Sequence, residues 1–442
     1  GEFHKSGAGT LALSAATNAI ANVRIDDGKL AFVGPGNTPA SQTSSIAGEL
    51  WVGGKPDQGG SLEVTNATLN VSSWMAMGRG TGTSGAVSTG TVTNSIVRVA
   101  NFSMGYANDI AGNFGTQTLE IVNSTFANAG DTNIGESDGS GSTITISGGS
   151  AVTSTNRTLI GMGGSASGTL IVEDDSSYTT GGWLSIGQNG TGTLTVRDNA
   201  SFSMNADFNV TDLAGSTGTL NISDNATVTG GPTFIGKGSG TVGTVNISGG
   251  TFNAGGGGEV QIGSNGDGNW NQTGGTTNVT GWFSIGRYAG AAGTLTVDGG
   301  SVNQLSVDRQ MVVGEDSTGT LTLNGGAVNV SGSTGLLVGW NTGGYGSVNL
   351  NGGTLSVPRI RGRADGVSEL NFNGGTLRAA ANASPADFMT GIGTVTVQAG
   401  GATIDTNGQN VTSDQVLLDG GTGGGLSKIG AGTLTLSAAS TY

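Results

Sequence analysis

Apolar and polar residues alternate along the chain in short runs, and similar runs return about every 25 residues. The clearest run reads Gly-Thr-Leu-x-Val, with conservative variants. Its copies start at Gly168, Gly192, Gly218, Gly243, Gly293, Gly319 and Gly346. Such alternation is typical of a strand with one buried face. In the copy at Gly192 it predicts that Leu194 and Val196 point inward, and that Thr193 and Thr195 point outward.

Two further phrases complete each repeat. One is a turn followed by a second strand, as in Gly-Gly-Thr-Phe-Asn at residues 249–253. The other is an apolar-x-apolar-Gly phrase, whose copies end at Gly135, Gly161, Gly187, Gly236, Gly263, Gly286, Gly314 and Gly339. The repeat therefore predicts three short strands separated by three turns.

The same inward residues return once per repeat, so the simplest geometry stacks each strand on its copy in the next repeat. Antiparallel hairpins with this period are conceivable, but they do not explain that return. Parallel stacking also gives the backbone amides and carbonyls partners on the neighbouring coil. We therefore predict an all-β fold, a single-stranded parallel β-helix (solenoid) with about 25 residues and three short strands per coil.

Glycine accounts for 87 of the 442 residues, and the turn after the Gly-Thr-Leu-x-Val strand shows why. Its first position is occupied by Gly, Asn or Asp, as at Asn66, Asp174 and Gly249. These residue types tolerate positive φ better than others, which indicates a left-handed backbone conformation. Only six prolines and no Gly-X-Y period are present, which excludes collagen.

The repeat divides the chain into three segments. Residues 48–375 carry the regular β-helix of about thirteen coils. Residues 1–47 fit the pattern poorly and are interpreted as N-terminal coils or a cap. Residues 376–442 resume as C-terminal coils after a stretch that contains Pro385. Gly1-Glu2-Phe3 resembles a cloning remnant and Tyr442 ends mid-pattern, so we expect a piece of a longer chain.

Composition and charge exclude several function classes. The chain has no cysteine and a single histidine, His4, so disulfides, thiolate metal sites and His-based catalytic triads are excluded. The formal charge of −14 disfavours nucleic acid and anionic membranes as partners. No apolar run of transmembrane length occurs, so we expect no membrane insertion by this segment. No cofactor or metal is predicted.

The two ends of the chain share one phrase. Residues 4–16 read His-Lys-Ser-Gly-Ala-Gly-Thr-Leu-Ala-Leu-Ser-Ala-Ala, and residues 427–439 read Ser-Lys-Ile-Gly-Ala-Gly-Thr-Leu-Thr-Leu-Ser-Ala-Ala. This phrase resembles the autotransporter-associated β-strand repeat, also called the passenger-associated transport repeat. The resemblance implies a right-handed parallel β-helix. It also implies export across a bacterial outer membrane through a separate β-barrel and display outside the cell. We expect the segment to be one module of a longer array.

Two charged groups are the candidates for catalysis or metal binding. Asp174, Asp198 and Asp224 occupy successive turns, but the same column continues as glycine, which favours turn formation over calcium binding or catalysis. A basic cluster runs from Arg359 to Asp365 and would suit a lyase-like cleft. A solvated turn is the simpler interpretation of this cluster.

Five aromatic residues are candidate glycan contacts, because exposed rings stack on sugars. Three of them begin similar phrases and the other two are predicted to fall together in a loop; the five are Trp74, Trp183, Trp282, Trp340 and Tyr345. Corner packing is the alternative role for the tryptophans.

These observations lead to one functional expectation. The chain is expected to be a non-enzymatic, extracellular stalk or adhesin-like passenger segment, with surface glycans or proteins as its partners. It is expected as a monomer or in end-to-end self-association. The alternative is a carbohydrate-binding or polysaccharide-degrading β-helix protein.

Overall fold

The fold is a parallel β-solenoid. The computed structural model describes residues 1–53, 58–79, 86–106, 115–363, 365–421 and 423–442. This part of the chain is all-β and makes about 15 turns of about 26 residues each, so the predicted parallel solenoid is confirmed. Within the described ranges, helical structure is confined to a single 3-10 turn, Pro39–Ser41. Two compact units are present: residues 1–221 with 225–228, and residues 222–224 with 229–442.

The first unit contains three sets of parallel strands. The first set carries the Gly-Thr-Leu-x-Val phrase: Thr10–Leu13, Gly28–Val33, Gly60–Thr65, Val87–Thr93, Thr116–Val122, Gly141–Ser147, Ser167–Val172 and Thr191–Val196. The second set follows the next turn: Thr17–Ile20, Thr43–Ile46, the first part of Thr68–Met77 and of Ile96–Met104, Thr125–Asn128, Ala151–Ser154, Ser177–Thr180 and Ser201–Ser203. The third set precedes the glycine of the last phrase: Glu2–Lys5, Asn22–Ile25, Leu50–Val52, the last parts of Thr68–Met77 and Ile96–Met104, Thr132–Ile134, Thr158–Ile160, Leu184–Ile186 and Phe208–Val210.

The second unit repeats the same three sets. Its first set is Val242–Ile247, Asp267–Gln272, Ala292–Val297, Thr318–Leu323, Tyr345–Leu350, Val367–Phe372, Thr394–Val397 and Leu418–Asp419. Its second set is Thr251–Ala254, Thr276–Val279, Ser301–Gln304, Ala327–Val330, Thr354–Val357, Thr376–Ala379, Ala402–Asp405 and Leu426–Ile429. Its third set is Thr233–Ile235, Glu259–Ile262, Trp282–Ile285, Met311–Val313, Leu336–Val338, Ile360–Arg361, Met389–Thr390, Val411–Ser413 and Leu434–Leu436. The boundaries between the two units fall within the strands Thr217–Ile222 and Thr227–Thr229 and in the turn between these strands.

The core is built from identical or similar residues stacked in register. Leu170 pairs with Leu194, and Leu295 pairs with Leu321. All four leucines are fully buried. Because apolar burial contributes about 25 cal/mol per Å², each repeat adds a similar increment, and stability is distributed along the stack.

One large side chain interrupts the aliphatic column of the second unit. Trp270 is fully buried and takes the place that Leu295 holds on the next coil. Its ring lies 5.5 Å from that of Phe252 and 6.3 Å from that of Phe283. The sequence analysis did not identify this aromatic cluster, although strand alternation is consistent with an inward Trp270.

The left-handed conformation predicted for the turn column is present. Asp174, Asp198 and Asp224 have φ of 57°, 59° and 57°. From Gly250 to Gly353 the positive φ lies at the second position of the turn, as at Gly250 (68°) and Gly275 (66°), and at Gly374 (110°) it returns to the first position. The backbone of each turn therefore requires one left-handed residue, and the position of that residue within the turn changes along the chain.

A second left-handed position follows each third-set strand from Leu50–Val52 to Leu336–Val338. Gly187, for example, has φ of 76°, and a Cβ there would lie 2.1 Å from the carbonyl oxygen of Thr217. Thr211 occupies this position on the next coil with φ of 77°, and it is fully buried. A β-branched residue is strained in this region of φ.

The end phrases occupy different strand sets. In the copy at residues 4–16 the Thr-Leu-x-Leu run forms a first-set strand, Thr10–Leu13. In the copy at residues 427–439 it forms a third-set strand, Leu434–Leu436. The shared phrase therefore does not mark one fixed place in the coil.

Replacing Gly275 with alanine is expected to destabilise the chain by about 2 kcal/mol or more. A Cβ at Gly275 would lie 2.5 Å from the carbonyl oxygen of Gly249, in addition to the left-handed φ. The matched control is Gly240→Ala, where φ is 67° but no heavy atom lies within 4 Å of the added Cβ. It should cost only about 1 kcal/mol. Urea unfolding followed by circular dichroism measures both variants, and equal losses would show that stacking of glycine on glycine is not the constraint.

Replacing Gly187 with threonine is expected to destabilise the chain by about 2 kcal/mol or more. The added Cβ would lie 2.1 Å from the carbonyl oxygen of Thr217, in addition to the left-handed φ. The counterpart is Thr211→Gly, which relieves the left-handed strain but removes a fully buried side chain, so the two effects oppose each other and the midpoint should change less. Differential scanning calorimetry of both variants gives the comparison, and a larger loss for Thr211→Gly than for Gly187→Thr would contradict the expectation.

Candidate functional site

Three of the candidate tryptophans occupy equivalent places beside third-set strands. Trp74, Trp183 and Trp282 each lie two residues before the middle residue of such a strand, and each is half-buried. Trp183 packs against the guanidinium of Arg157 at 5.6 Å, and Trp282 against that of Arg287 at 5.4 Å. These two rings are therefore partly covered by the protein's own cations.

The other two candidates have separate environments. Trp340 lies in a turn, with the guanidinium carbons of Arg361 and Arg363 at 5.2 and 4.9 Å from its ring. Tyr345 begins a first-set strand rather than lying in a loop. Its hydroxyl donates to Glu369 Oε2 at 2.8 Å, and this hydrogen bond raises the pKa of Tyr345.

Trp74 lines a pocket of about 210 Å³ on the outer face of the third-set strands of the first unit. We call it the Trp74 pocket. Among the described residues, it is lined by Glu49, Trp74, Ala76, Arg79, Ser103, Tyr106 and Glu136. The backbone register explains how they come together, because the middle residues of successive third-set strands, Ala76 and Ser103, are directly paired.

The pocket exists because its floor residues are small. Along the same row, Ala76 pairs with Trp51 on one side, and Ser103 pairs with Asn133 on the other. The longer side chains of Trp51 and Asn133 therefore flank two successive coils whose row positions carry only small side chains. One wall carries Glu49 and Trp74, two residues before the row, and the opposite wall carries Arg79, Tyr106 and Glu136, three residues after it.

An ion pair closes one end of the pocket. Arg79 Nη1 lies 2.9 Å from Glu49 Oε2, and the same carboxylate oxygen accepts from the indole Nε1 of Trp51. The Arg79 guanidinium lies over the Trp51 ring at 4.3 Å and over the Tyr106 ring at 5.3 Å. Both Arg79 and Glu49 are therefore held in place by several contacts each.

Glu136 closes the other end. Its carboxyl accepts a hydrogen bond from the hydroxyl of Ser103, a residue that is 1% exposed. Burial raises the pKa of Glu136, and hydrogen bonds from the Ser103 and Asn133 side chains oppose that rise. The Oδ1 atom of Asn133, which is 5% exposed, has no hydrogen-bond partner.

A related arrangement in the second unit is closed. Residues 282–287 read Trp-Phe-Ser-Ile-Gly-Arg, close to Trp-Met-Ala-Met-Gly-Arg at residues 74–79. Here Ser284 Oγ donates to Glu315 Oε2 at 2.9 Å, and the other oxygen of the same carboxylate pairs with Arg287. Glu315 is 3% exposed, so its side chain and that of Arg287 take up the space above Ser284.

Both charged candidates of the sequence make local contacts in the structure. Asp174 Oδ2 accepts from the backbone amide of Gly148 at 2.9 Å, so this aspartate links its turn to the turn of the preceding coil. In the basic cluster, Arg359 pairs with Asp387 at 2.7 Å and Arg363 with Asp365 at 3.5 Å. Burial lowers the pKa of Arg361, and Arg359 contributes to the same direction.

Sequence reasoning identified Trp74 but not its neighbours in the pocket. The missed residues are Glu49, Arg79, Ser103, Tyr106 and Glu136. A signal was present in the phrase Trp-x-(Ala/Ser)-x-Gly-Arg, which occurs at residues 74–79 and 282–287. It places an aromatic ring and a guanidinium on opposite sides of a small residue.

The described residues contain neither a metal site nor a membrane-spanning helix, and the chain resembles no known protein closely enough to match it. Within the described ranges, no group of three or more His, Cys, Asp or Glu residues is arranged to hold a metal ion. The same ranges contain no helix that is both long and apolar enough to cross a membrane. No family model, curated protein or solved structure matches the chain.

Neutralising Glu136 and Glu315 should change stability in opposite directions. Because burial raises the pKa of Glu136, its ionisation costs more in the folded chain than in the unfolded chain. That cost is present above the folded pKa and disappears as the pH falls below the ordinary value of about 4.3. Glu136→Gln should therefore raise the thermal midpoint near pH 7 and leave it unchanged near pH 3.

Glu315→Gln serves as the counterpart. It leaves the Arg287 guanidinium without its charged partner in a half-buried position, and should cost about 1–3 kcal/mol near pH 7. Thermal unfolding of both variants at the two pH values provides the measurement. A loss of stability near pH 7 in Glu136→Gln would show that its hydrogen bonds outweigh its burial.

Proposed function

We propose that this chain is a non-enzymatic, extracellular stalk or adhesin-like passenger segment of a large bacterial surface or secreted protein. The observation that carries the proposal is the in-register stacking of successive coils in both units. Its repeating columns are accounted for by folding: leucines fill the core, and left-handed residues form the turns. A long stack of equivalent coils suits a role in spacing and display.

The end phrases support the exported class. The resemblance of residues 4–16 and 427–439 to autotransporter-associated repeats leads us to propose export through a separate outer-membrane β-barrel. We further propose that the coils are right-handed, with three strands in every coil. A right-handed connection is the strongly preferred hand for parallel strands joined within one sheet.

Polar ladders support stacking outside the core. In the second unit, Asn278 Nδ2 donates to Asn253 Oδ1 at 3.0 Å, and Asn303 Nδ2 donates to Asn278 Oδ1 at 3.1 Å. Asn329 continues the series at 2.9 Å. Such amide ladders add hydrogen bonds between coils at positions that the core does not reach.

Antibodies raised against the chain are expected to label intact cells of the organism that carries it. Display outside the outer membrane makes the segment accessible without permeabilisation, and added protease should remove the label. Fluorescence of intact and permeabilised cells provides the measurement, with a periplasmic protein as the negative control. Labelling only after permeabilisation would reject the proposed location.

The same proposal predicts no turnover of polysaccharides. The purified chain should release no reducing ends and no unsaturated uronates from pectate, xylan, laminarin or mannan. Reducing-sugar and ultraviolet assays measure the two products, with a pectate lyase as the positive control. Release of either product would replace the stalk with the carbohydrate-degrading alternative.

A further inference from the structure

We infer that the Trp74 pocket binds a single pyranose ring of a neutral saccharide. The inference stands apart from the stalk proposal, because display at the cell surface does not depend on the pocket. Its first support is the combination of aromatic and charged side chains around one pocket. Trp74 and Tyr106 line it together with Arg79 and Glu136.

Each surface of the pocket has a counterpart on a sugar ring. The C–H faces of a pyranose are apolar and pack against aromatic rings. Its hydroxyls both donate and accept hydrogen bonds, so they suit a site that offers donors and acceptors together. Arg79 keeps donors beyond the one that bonds to Glu49, and Glu136 keeps acceptor capacity beyond its bond to Ser103.

The size of the pocket limits the ligand. Its volume of about 210 Å³ is below the ~300–1,000 Å³ typical of sites for drug-sized ligands. One ring fits this space, and the rest of an oligosaccharide would extend along the outer face. The lining side chains come from paired strands and from the residues on either side of these strands. The ion pair between Arg79 and Glu49 fixes one end of the pocket. Little ordering is therefore needed on binding.

The charges of the lining residues favour a neutral ligand over a charged one. Two carboxylates, Glu49 and Glu136, face one guanidinium, and the chain carries a formal charge of −14. An anionic sugar is disfavoured by this field. A cationic ligand would stack on an aromatic face, but the Arg79 guanidinium already lies over the Tyr106 ring at 5.3 Å.

The same phrase is arranged differently in the second unit. There Arg287 pairs directly with Glu315 above Ser284. In the first unit Arg79 turns toward Glu49 instead, and Glu136 is held by Ser103. Arg79 and Glu136 therefore both line the pocket of the first unit.

The test is binding of three neutral trisaccharides, cellotriose, maltotriose and mannotriose, to the whole chain. Isothermal titration calorimetry measures the Kd, and intrinsic tryptophan fluorescence follows Trp74. We expect at least one trisaccharide to bind, and Trp74→Ala to weaken it by about tenfold. The matched control is Tyr288→Ala, which removes an aromatic ring stacked on Arg287 at 4.9 Å outside the pocket. It should leave the Kd within about twofold of the parent value.

A second variant fills the pocket without removing a polar group. Ala76→Leu adds a side chain to the floor and should abolish binding, and its thermal midpoint shows whether it folds. Two charged probes, trigalacturonate and tetramethylammonium, test the ligand class. Tighter binding of either than of every neutral trisaccharide would overturn the inference. It would equally be overturned by absence of binding of all three trisaccharides, or by an unchanged Kd in folded Trp74→Ala.

Discussion

Main-chain hydrogen bonding between coils in register is the interaction on which the rest of the structure depends. It places each residue directly against its counterpart one turn away. A column therefore accepts only residue types that can pack against an identical or a similar residue. Gly300 shows the limit of this rule, since a Cβ there would lie 2.3 Å from the carbonyl oxygen of Gly275 on the preceding coil. The high glycine content follows from stacking as much as from turn geometry.

The same constraint decides whether a polar side chain is satisfied. An asparagine stacked on asparagine has both a donor and an acceptor within reach, as the series through Asn278 and Asn303 shows. Asn133 lies in a row between Ser103 and Leu159, and its buried Oδ1 atom has no partner. Regular columns satisfy their own polar groups, whereas irregular columns leave polar groups available for other contacts.

The repeated features of the coil could be predicted from the sequence, whereas the features that occur once could not. The inward leucines and the left-handed turns follow from alternation and residue type, and both are present at Leu194 and Asp198. The position of the end phrases within the coil did not follow, because the local pattern of a strand is the same in every set. The Trp74 pocket could be predicted only in part. Glu49 and Glu136 lie on different coils, and both line the pocket on either side of the small floor residues Ala76 and Ser103.

A binding pocket in a solenoid arises where a column changes residue size. Equal neighbours stack into a flat face, and a flat face has no concave surface for a small ligand. Ala76 and Ser103 are two successive small residues in a row that is filled by Trp51 before them and by Leu159 after Asn133. In the second unit the small residue Ser284 is followed by Val312, and the carboxylate of Glu315 takes up the gap. Functional residues in this chain are therefore to be sought at departures from the repeat, because the repeat itself is determined by folding.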